Sequence, residues 1–255
     1  MPMRKMPHII GYPLLVLGLL SLFFSVIYEH SILAFIGLGL TFWGALLLFV
    51  RSVRYVKSSL LDSTTLSTFT TINQIINESN LEGKAIYLPP RHLEEIKSGK
   101  VFIPSKKGVF IPPPEELAEE KIFLKNPMGI CLTAPGVSLA NLFEETLGTS
   151  FTKLNLDQLE NNLPKLFIED LEIAENLEIN RKGNQIRIKI TGSVYQDFCQ
   201  QIQKLPKICG SLGCPLCSSL AVALTRATGK PIVIEKTKPS QNGKSIKAYY
   251  LIIKD

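Results

Sequence analysis

Residues 9–50 read IIGYPLLVLGLLSLFFSVIY, then Glu29-His30, then SILAFIGLGLTFWGALLLFV, and this stretch decides the architecture. Neither run, Ile9–Tyr28 or Ser31–Val50, holds an Asp, Glu, Lys or Arg. About 20 helical residues at ~1.5 Å each cover the ~30 Å hydrocarbon core of a bilayer, so each run is long enough for one span. Only two polar residues separate them, which folds the pair back into a transmembrane hairpin with Glu29 and His30 at its tip. Basic residues flank the outer ends, Arg4 and Lys5 before the first run and Arg51, Arg54 and Lys57 after the second. Positive charge favours the cytoplasmic side of a membrane, which puts both termini there. The first run ends Ser-Val-Ile-Tyr-Glu-His without the small-residue cleavage motif of a signal peptide, so it reads as a retained span. The expectation is a multi-pass protein of the cell membrane, with the hairpin and its flanks occupying residues 1–57.

Small residues lie along one face of each span, Gly18, Ser21 and Ser25 on the first and Gly37, Thr41 and Ala45 on the second. Such stripes let two helix backbones approach closely in lipid. With no charged side chain at mid-depth and only two helices, a transporter or channel is not supported.

Outside the hairpin the chain is nearly neutral. The net charge of the 255 residues is +6, but residues 1–57 hold five basic side chains against Glu29, a net +4. The remainder, with 23 basic and 21 acidic residues, carries only +2, which gives no nucleic-acid-binding face. A mean hydropathy of +0.19 excludes a disordered chain.

Residues 58–83, rich in Thr and Ser, place Leu61, Phe69, Ile72 and Ile76 near a 3.6-residue period and read as a helical stalk, helical over about 62–79. Residues 84–255 read as a cytoplasmic α+β domain of antiparallel hairpins packed on helices, with a sub-boundary near 150. VFIP occurs at 101–104 and again at 109–112 around Ser-Lys-Lys-Gly, which predicts one β-arm. A short helical piece is expected over Arg91–Ser98 and a helix over 137–147 ended by Gly148. LEINRKGNQIRIKITG at 177–192 alternates about Lys182-Gly183-Asn184, a hairpin signal. Helices over 195–205 and 214–228 follow, the second stopped by Gly229, and strands at 231–235 and 246–253 joined through Ser240-Gln-Asn-Gly243 make another hairpin.

Five cysteines occur, and Cys209, Cys214 and Cys217 are spaced C-x4-C-x2-C. That string resembles the ligand run of plant-type two-iron ferredoxins, and Cys199 would supply a fourth thiolate for a zinc or iron–sulfur site. A second reading is a Cys214-Pro-Leu-Cys217 redox pair at a helix start, where the helix dipole lowers a thiol pKa. A third is that the thiols are small buried hydrophobes. His92 with Glu94 and Glu95 reads as a solvated helix face. No G-x-S-x-G, P-loop, G-x-G-x-x-G or H-E-x-x-H motif is present. The 214–228 helix carries Leu216, Leu220, Val222, Ala223 and Leu224 over most of its circumference. Its start, bounded by Gly210, Gly213, Cys214 and Cys217, is read as the rim of a pocket for an amphipathic or lipid-like ligand.

With Tyr87-Leu-Pro-Pro-Arg91, Lys100-Val-Phe-Ile-Pro104, Gly213-Cys-Pro-Leu-Cys-Ser-Ser219 and Thr228-Gly-Lys-Pro231 together, the chain resembles an uncharacterised family of archaeal membrane proteins with two N-terminal spans and a cytoplasmic domain. That resemblance implies no catalytic residues. Residues 209–253 also resemble the vinyl-reductase-type ligand-binding domain related to vesicle-trafficking subunits. Cys214, Gly229, Glu235 and Gly243 follow that domain's order, while Tyr249 or Tyr250 stands where its last strand carries a cysteine. The expectation is a membrane-anchored binding or regulatory module whose partners are the bilayer and an unknown protein or lipid-like ligand. The alternative is a tethered metal or thiol redox protein.

Overall fold

The computed structural model describes residues 6–49, 58–90, 99–108, 111–118, 121–240 and 244–253. The basic flanks Arg4, Lys5, Arg51, Arg54 and Lys57, the Arg91–Ser98 piece with His92, Glu94 and Glu95, and the tip of the last hairpin at 241–243 lie outside the described residues. Backbone contacts divide the chain into Met1–Ser58 and Ser59–Asp255.

The first unit is two antiparallel helices, α1 (Met6–Tyr28) and α2 (Ser31–Phe49). They meet along small residues at seven-residue spacing, with Gly11, Gly18 and Ser25 buried on one and Gly37 and Gly44 on the other. A Cβ at Gly18 would sit 2.5 Å from the Thr41 backbone nitrogen, and one at Gly44 2.6 Å from that of Leu15. The expected stripe therefore holds except at Ala45. Gly44 takes its place, because helices wrapping at small angles meet every seven residues rather than every four. The chain reverses at Glu29, whose φ is 51°. Ser21 Oγ donates to the Leu33 carbonyl at 3.1 Å, and Ser25 Oγ to that of His30 at 2.9 Å.

The second unit opens with helix α3 (Ser58–Glu78) in the segment read as a stalk. Its Phe69 and Ile76 are buried in the core, Phe69 packing edge-on against Phe198 with ring centroids 5.8 Å apart. Eight strands then build one antiparallel sheet: β1 (Ile86–Tyr87), β2 (Lys100–Pro104), β3 (Phe123–Lys125), β4 (Met128–Thr133), β5 (Asn176–Lys182), β6 (Gln185–Thr191), β7 (Ile232–Pro239) and β8 (Ser245–Ile252). Their order is β3-β4-β2-β1-β7-β8-β6-β5. The pairing of β1 with β7 joins chain from both sides of residue 150 into this sheet.

Both hairpins read from alternation form, β5 with β6 and β7 with β8. The β-arm expected from the repeated VFIP does not. The first copy is β2, and β1 and β4 occupy its two edges, so it has no edge for the second copy, of which Val109 and Phe110 lie outside the described residues.

Helices α4 (Pro114–Ala118), α5 (Val137–Leu147), α6 (Leu156–Lys165), α7 (Gln196–Ile202) and α8 (Pro215–Thr228) complete the unit. α5 and α8 end as expected, at Gly148 with φ 68° and Gly229 with φ 63°. α8 packs against β1, β7, α5 and α6. Period-two alternation sends Tyr87, Val101, Ile103, Ile186, Ile188, Ile234 and Tyr250 into this main core. On the other side of the sheet Ile86, Phe102, Cys131 and Val233 form a smaller apolar layer. Beyond β7 that outer face is charged, with Arg187, Lys189 and Lys247 between the inward Ile186, Ile188, Ile246 and Ala248.

Among the described residues, three stretches are long and apolar enough to cross a membrane: α1, α2, and Ile208–Thr228, which contains α8. The third lies within the fold of the second unit, mostly buried.

Candidate functional site

The site lies at the start of α8, and its sequence explains why the helix begins there. Gly213 holds φ 72° and ψ 170°, a conformation costly for any residue with a Cβ. Cys214 follows in extended N-cap geometry, and Pro215 takes the first helical position, where a missing N–H forfeits no helical bond. Before them, Ile208–Leu212 forms a single π-turn.

Groups from the sheet and neighbouring loops pin this segment. Tyr87 donates its hydroxyl to the Leu212 carbonyl, and Tyr250 donates to the Cys217 carbonyl at 3.0 Å. Burial raises the pKa of both phenols, which keeps them protonated donors. The Ala85 N–H donates to Ser211 Oγ and the Gly136 N–H to buried Ser218 Oγ, each at 2.9 Å. Gly136 has to be glycine, because a Cβ there would collide with the α8 backbone at Ser219. Sequence reasoning did not single out Tyr87, Tyr250, Ser211 or Ser218 as site residues. The available signal was that both tyrosines occupy inward positions of alternating strands.

All five cysteines are free thiols. The closest approach is between Cys199 on α7 and Cys214, with Cys199 Sγ donating to Cys214 Sγ at 3.1 Å. The Cys199 hydrogen bond, with the Cys217 thiol and the helix start beside it, outweighs burial and holds the Cys214 pKa well below the ordinary thiol range. Donating to Cys214, and then burial, push the Cys199 pKa up, and proximity to Cys214 together with burial shifts Cys217 the same way. The arrangement is a close pair of thiols, Cys199 and Cys214, at the start of α8. Cys209 Sγ lies 3.2 Å from Thr237 Oγ1. Cys131 stands apart, on β4 in the outer apolar layer.

Cys199, Cys209, Cys214 and Cys217 share a cavity of about 20 Å³ with Ile202, Gln203, Thr237 and Ile246. All four cysteines singled out as metal ligands thus line one space, yet among the described residues no three His, Cys, Asp or Glu side chains are placed to hold a metal ion. Of the expected pocket rim, Cys214 and Cys217 line the cavity and Gly210 and Gly213 do not. The space accommodates about one water-sized molecule and is far below the ~300 Å³ where pockets for organic ligands begin. Space of ligand size lies on the outer face of the sheet, in a groove of about 370 Å³ floored by Ile86, Val233 and Leu251 and rimmed by Glu82, Lys84, Lys107 and Glu235.

Residues 7–249 match the family model described as Domain of unknown function (DUF7982). The chain belongs to this family. The match runs from α1 through β8, so the apolar helix pair and the α+β unit together make up the family's domain. No curated protein and no solved structure matches the chain.

Proposed function

We propose that the chain is a membrane-anchored regulatory module whose input is the thiol site at the start of α8. In this reading α1 and α2 cross the cell membrane as a hairpin. The basic flanks at 4–5 and 51–57 keep both termini and the α+β unit in the cytoplasm, where a reducing environment keeps thiols free. The observation that carries the proposal is the 3.1 Å contact between Cys199 and Cys214, two side chains from different helices that meet at a helix N-terminus. A structural thiol needs only an apolar neighbourhood, whereas Cys214 accepts a hydrogen bond from a second thiol at a helix start.

The order α8, Gly229, β7 carrying Glu235, and β8 parallels that of the vinyl-reductase-type domain and supports a binding role for the same unit. The ~370 Å³ groove on the outer sheet face suits the amphipathic ligand such a role needs. The resemblance to archaeal membrane proteins fits the same anchored architecture.

The test is thiolate absorbance near 240 nm on the full chain purified anaerobically in detergent, wild type against Cys214→Ser. Because the Cys214 pKa is lowered, its thiolate should be lost only when the pH falls below the ordinary thiol range. The difference spectrum should therefore show one thiolate at pH 7. Its absence sinks the regulatory reading, and stoichiometric zinc or iron in the same sample replaces it with the metal-protein alternative.

A further inference from the structure

The thiol site has a size limit, and that limit selects its reactant. Cys214 is 6% exposed, and the cavity beside it holds about 20 Å³. A glutathione-sized disulfide cannot align with a sulfur in such a space, which admits only a reactant close to the size of water. The cavity lining includes exposed Gln203 and half-buried Cys209 and Thr237 beside buried Ile202 and Ile246. We propose that Cys214 and Cys199 form a dithiol oxidised by hydrogen peroxide, in which Cys214 attacks the peroxide and Cys199 resolves the product. The inference rests on the regulatory reading of this site and names the signal it receives.

The chemistry balances within the site. The Cys214 sulfur attacks one peroxide oxygen. An S–O bond forms as the O–O bond breaks, and the departing hydroxide takes up the proton that Cys214 had released, giving water. Cys214 is then a sulfenic acid, oxidised by two electrons. Next the Cys199 sulfur attacks the Cys214 sulfur, an S–S bond forms as the S–O bond breaks, and the hydroxide leaves with the Cys199 proton as a second water. Two thiols and one hydrogen peroxide become one disulfide and two waters. The sulfurs start 3.1 Å apart and need approach by only about 1 Å to reach disulfide bonding distance. Cys199 is therefore the resolving thiol, in place of the Cys217 partner that the Cys-Pro-Leu-Cys spacing suggests.

Trypsin separates the two alternatives. Lys204 and Lys207 lie between Cys199 and Cys214, so a Cys199–Cys214 bond joins two peptides, whereas a Cys214–Cys217 bond stays inside Ile208–Arg226. The full chain in detergent is treated with stoichiometric hydrogen peroxide, alkylated, digested and mapped by mass spectrometry. The expected product is the joined pair, two hydrogens lighter than its separate peptides. Cys199→Ser and Cys199→Ala should abolish it and let dimedone trap the Cys214 sulfenic acid. A Cys214–Cys217 bond, a Cys214 sulfinic acid in the wild type, or no reaction from a chain that shows the 240 nm thiolate overturns the peroxide proposal and leaves the regulatory reading standing. Failure to find the thiolate removes both.

Discussion

α2 and the Ile208–Thr228 stretch that contains α8 are both apolar enough to cross a bilayer, yet they are covered in opposite ways. On α2, Phe35 is 79% and Phe49 90% exposed, and the residues in close contact with its partner helix include Gly37, Thr41, Gly44 and Leu48. On α8, every residue from Leu216 to Arg226 is buried, and the polar ones have partners. Arg226 meets Glu144 at 2.8 Å and Asn141 at 2.8 Å, Thr225 bonds the Val222 carbonyl and Ser219 that of Leu216. Composition therefore fails to separate a helix made for lipid from one made for a protein core. What separates them is where large side chains point and whether a buried charge has a protein partner.

The sharpest way to break this comparison is at Arg226. Its side chain is 1% exposed and that of Glu144 13%. Arg226→Leu leaves the carboxylate buried without its cation, which should destabilise the α+β unit by about 3–5 kcal/mol. Leu38→Ala, on an exposed position of α2, should leave that unit unchanged within ~0.5 kcal/mol. Pulse proteolysis of the full chain in urea measures both. Equal effects would mean that α8 is not the core element its burial indicates.

Oxidation gives the next largest effect. A Cys199–Cys214 bond closes a loop of about 15 residues, which should add ~3 kcal/mol in the chain-entropy picture. The same pulse-proteolysis midpoint should shift upward with peroxide in the wild type and stay fixed in Cys199→Ser. In the helix pair the corresponding lever is close approach. Gly18→Leu forces a side chain against the Thr41 backbone and should weaken the α1–α2 contact by about 1–3 kcal/mol in a steric-trap assay. Ala45→Leu, outside the contact, should not.

These sites also mark what the sequence makes legible. Local signals carry through, because a run of alternating side chains or a glycine at φ > 0 fixes its own geometry: the 182–184 turn, Gly148 and Gly229 stand where pattern reading puts them. Pairings over distance are not written locally. The second VFIP resembles a partner for β2, but β1 and β4 are the strands that cover it. The reciprocal cap at the start of α6, Asn155 with Gln158, passes unnoticed because Pro164 cuts short the Leu156, Leu159, Leu163 period that follows it. The thiol site is half legible. The helix start and Cys214 are visible in Gly213-Cys-Pro, whereas the contact with Cys199 depends on how α7 folds back, which the fifteen-residue separation does not encode.

The smallest effect tests whether the two regions also differ in how they satisfy small polar groups. Ser218 in α8 accepts the Gly136 N–H, and Ser25 in α1 donates to the His30 carbonyl, at 2.9 Å in both cases. Ser218→Ala strands an N–H in a packed interior with no water to replace the hydroxyl, a loss of about 1–3 kcal/mol. Ser25→Ala frees a carbonyl beside the exposed Glu29-His30 turn, where solvent or headgroups supply another donor. Serine bonds between helices in lipid average only ~0.6 kcal/mol, so this substitution should fall at or below that value. Pulse proteolysis reads the first and steric trapping the second. A cost for Ser25→Ala as large as that for Ser218→Ala would show that the helix turn is dry, and would place the Glu29-His30 tip inside a packed environment instead of at an aqueous face.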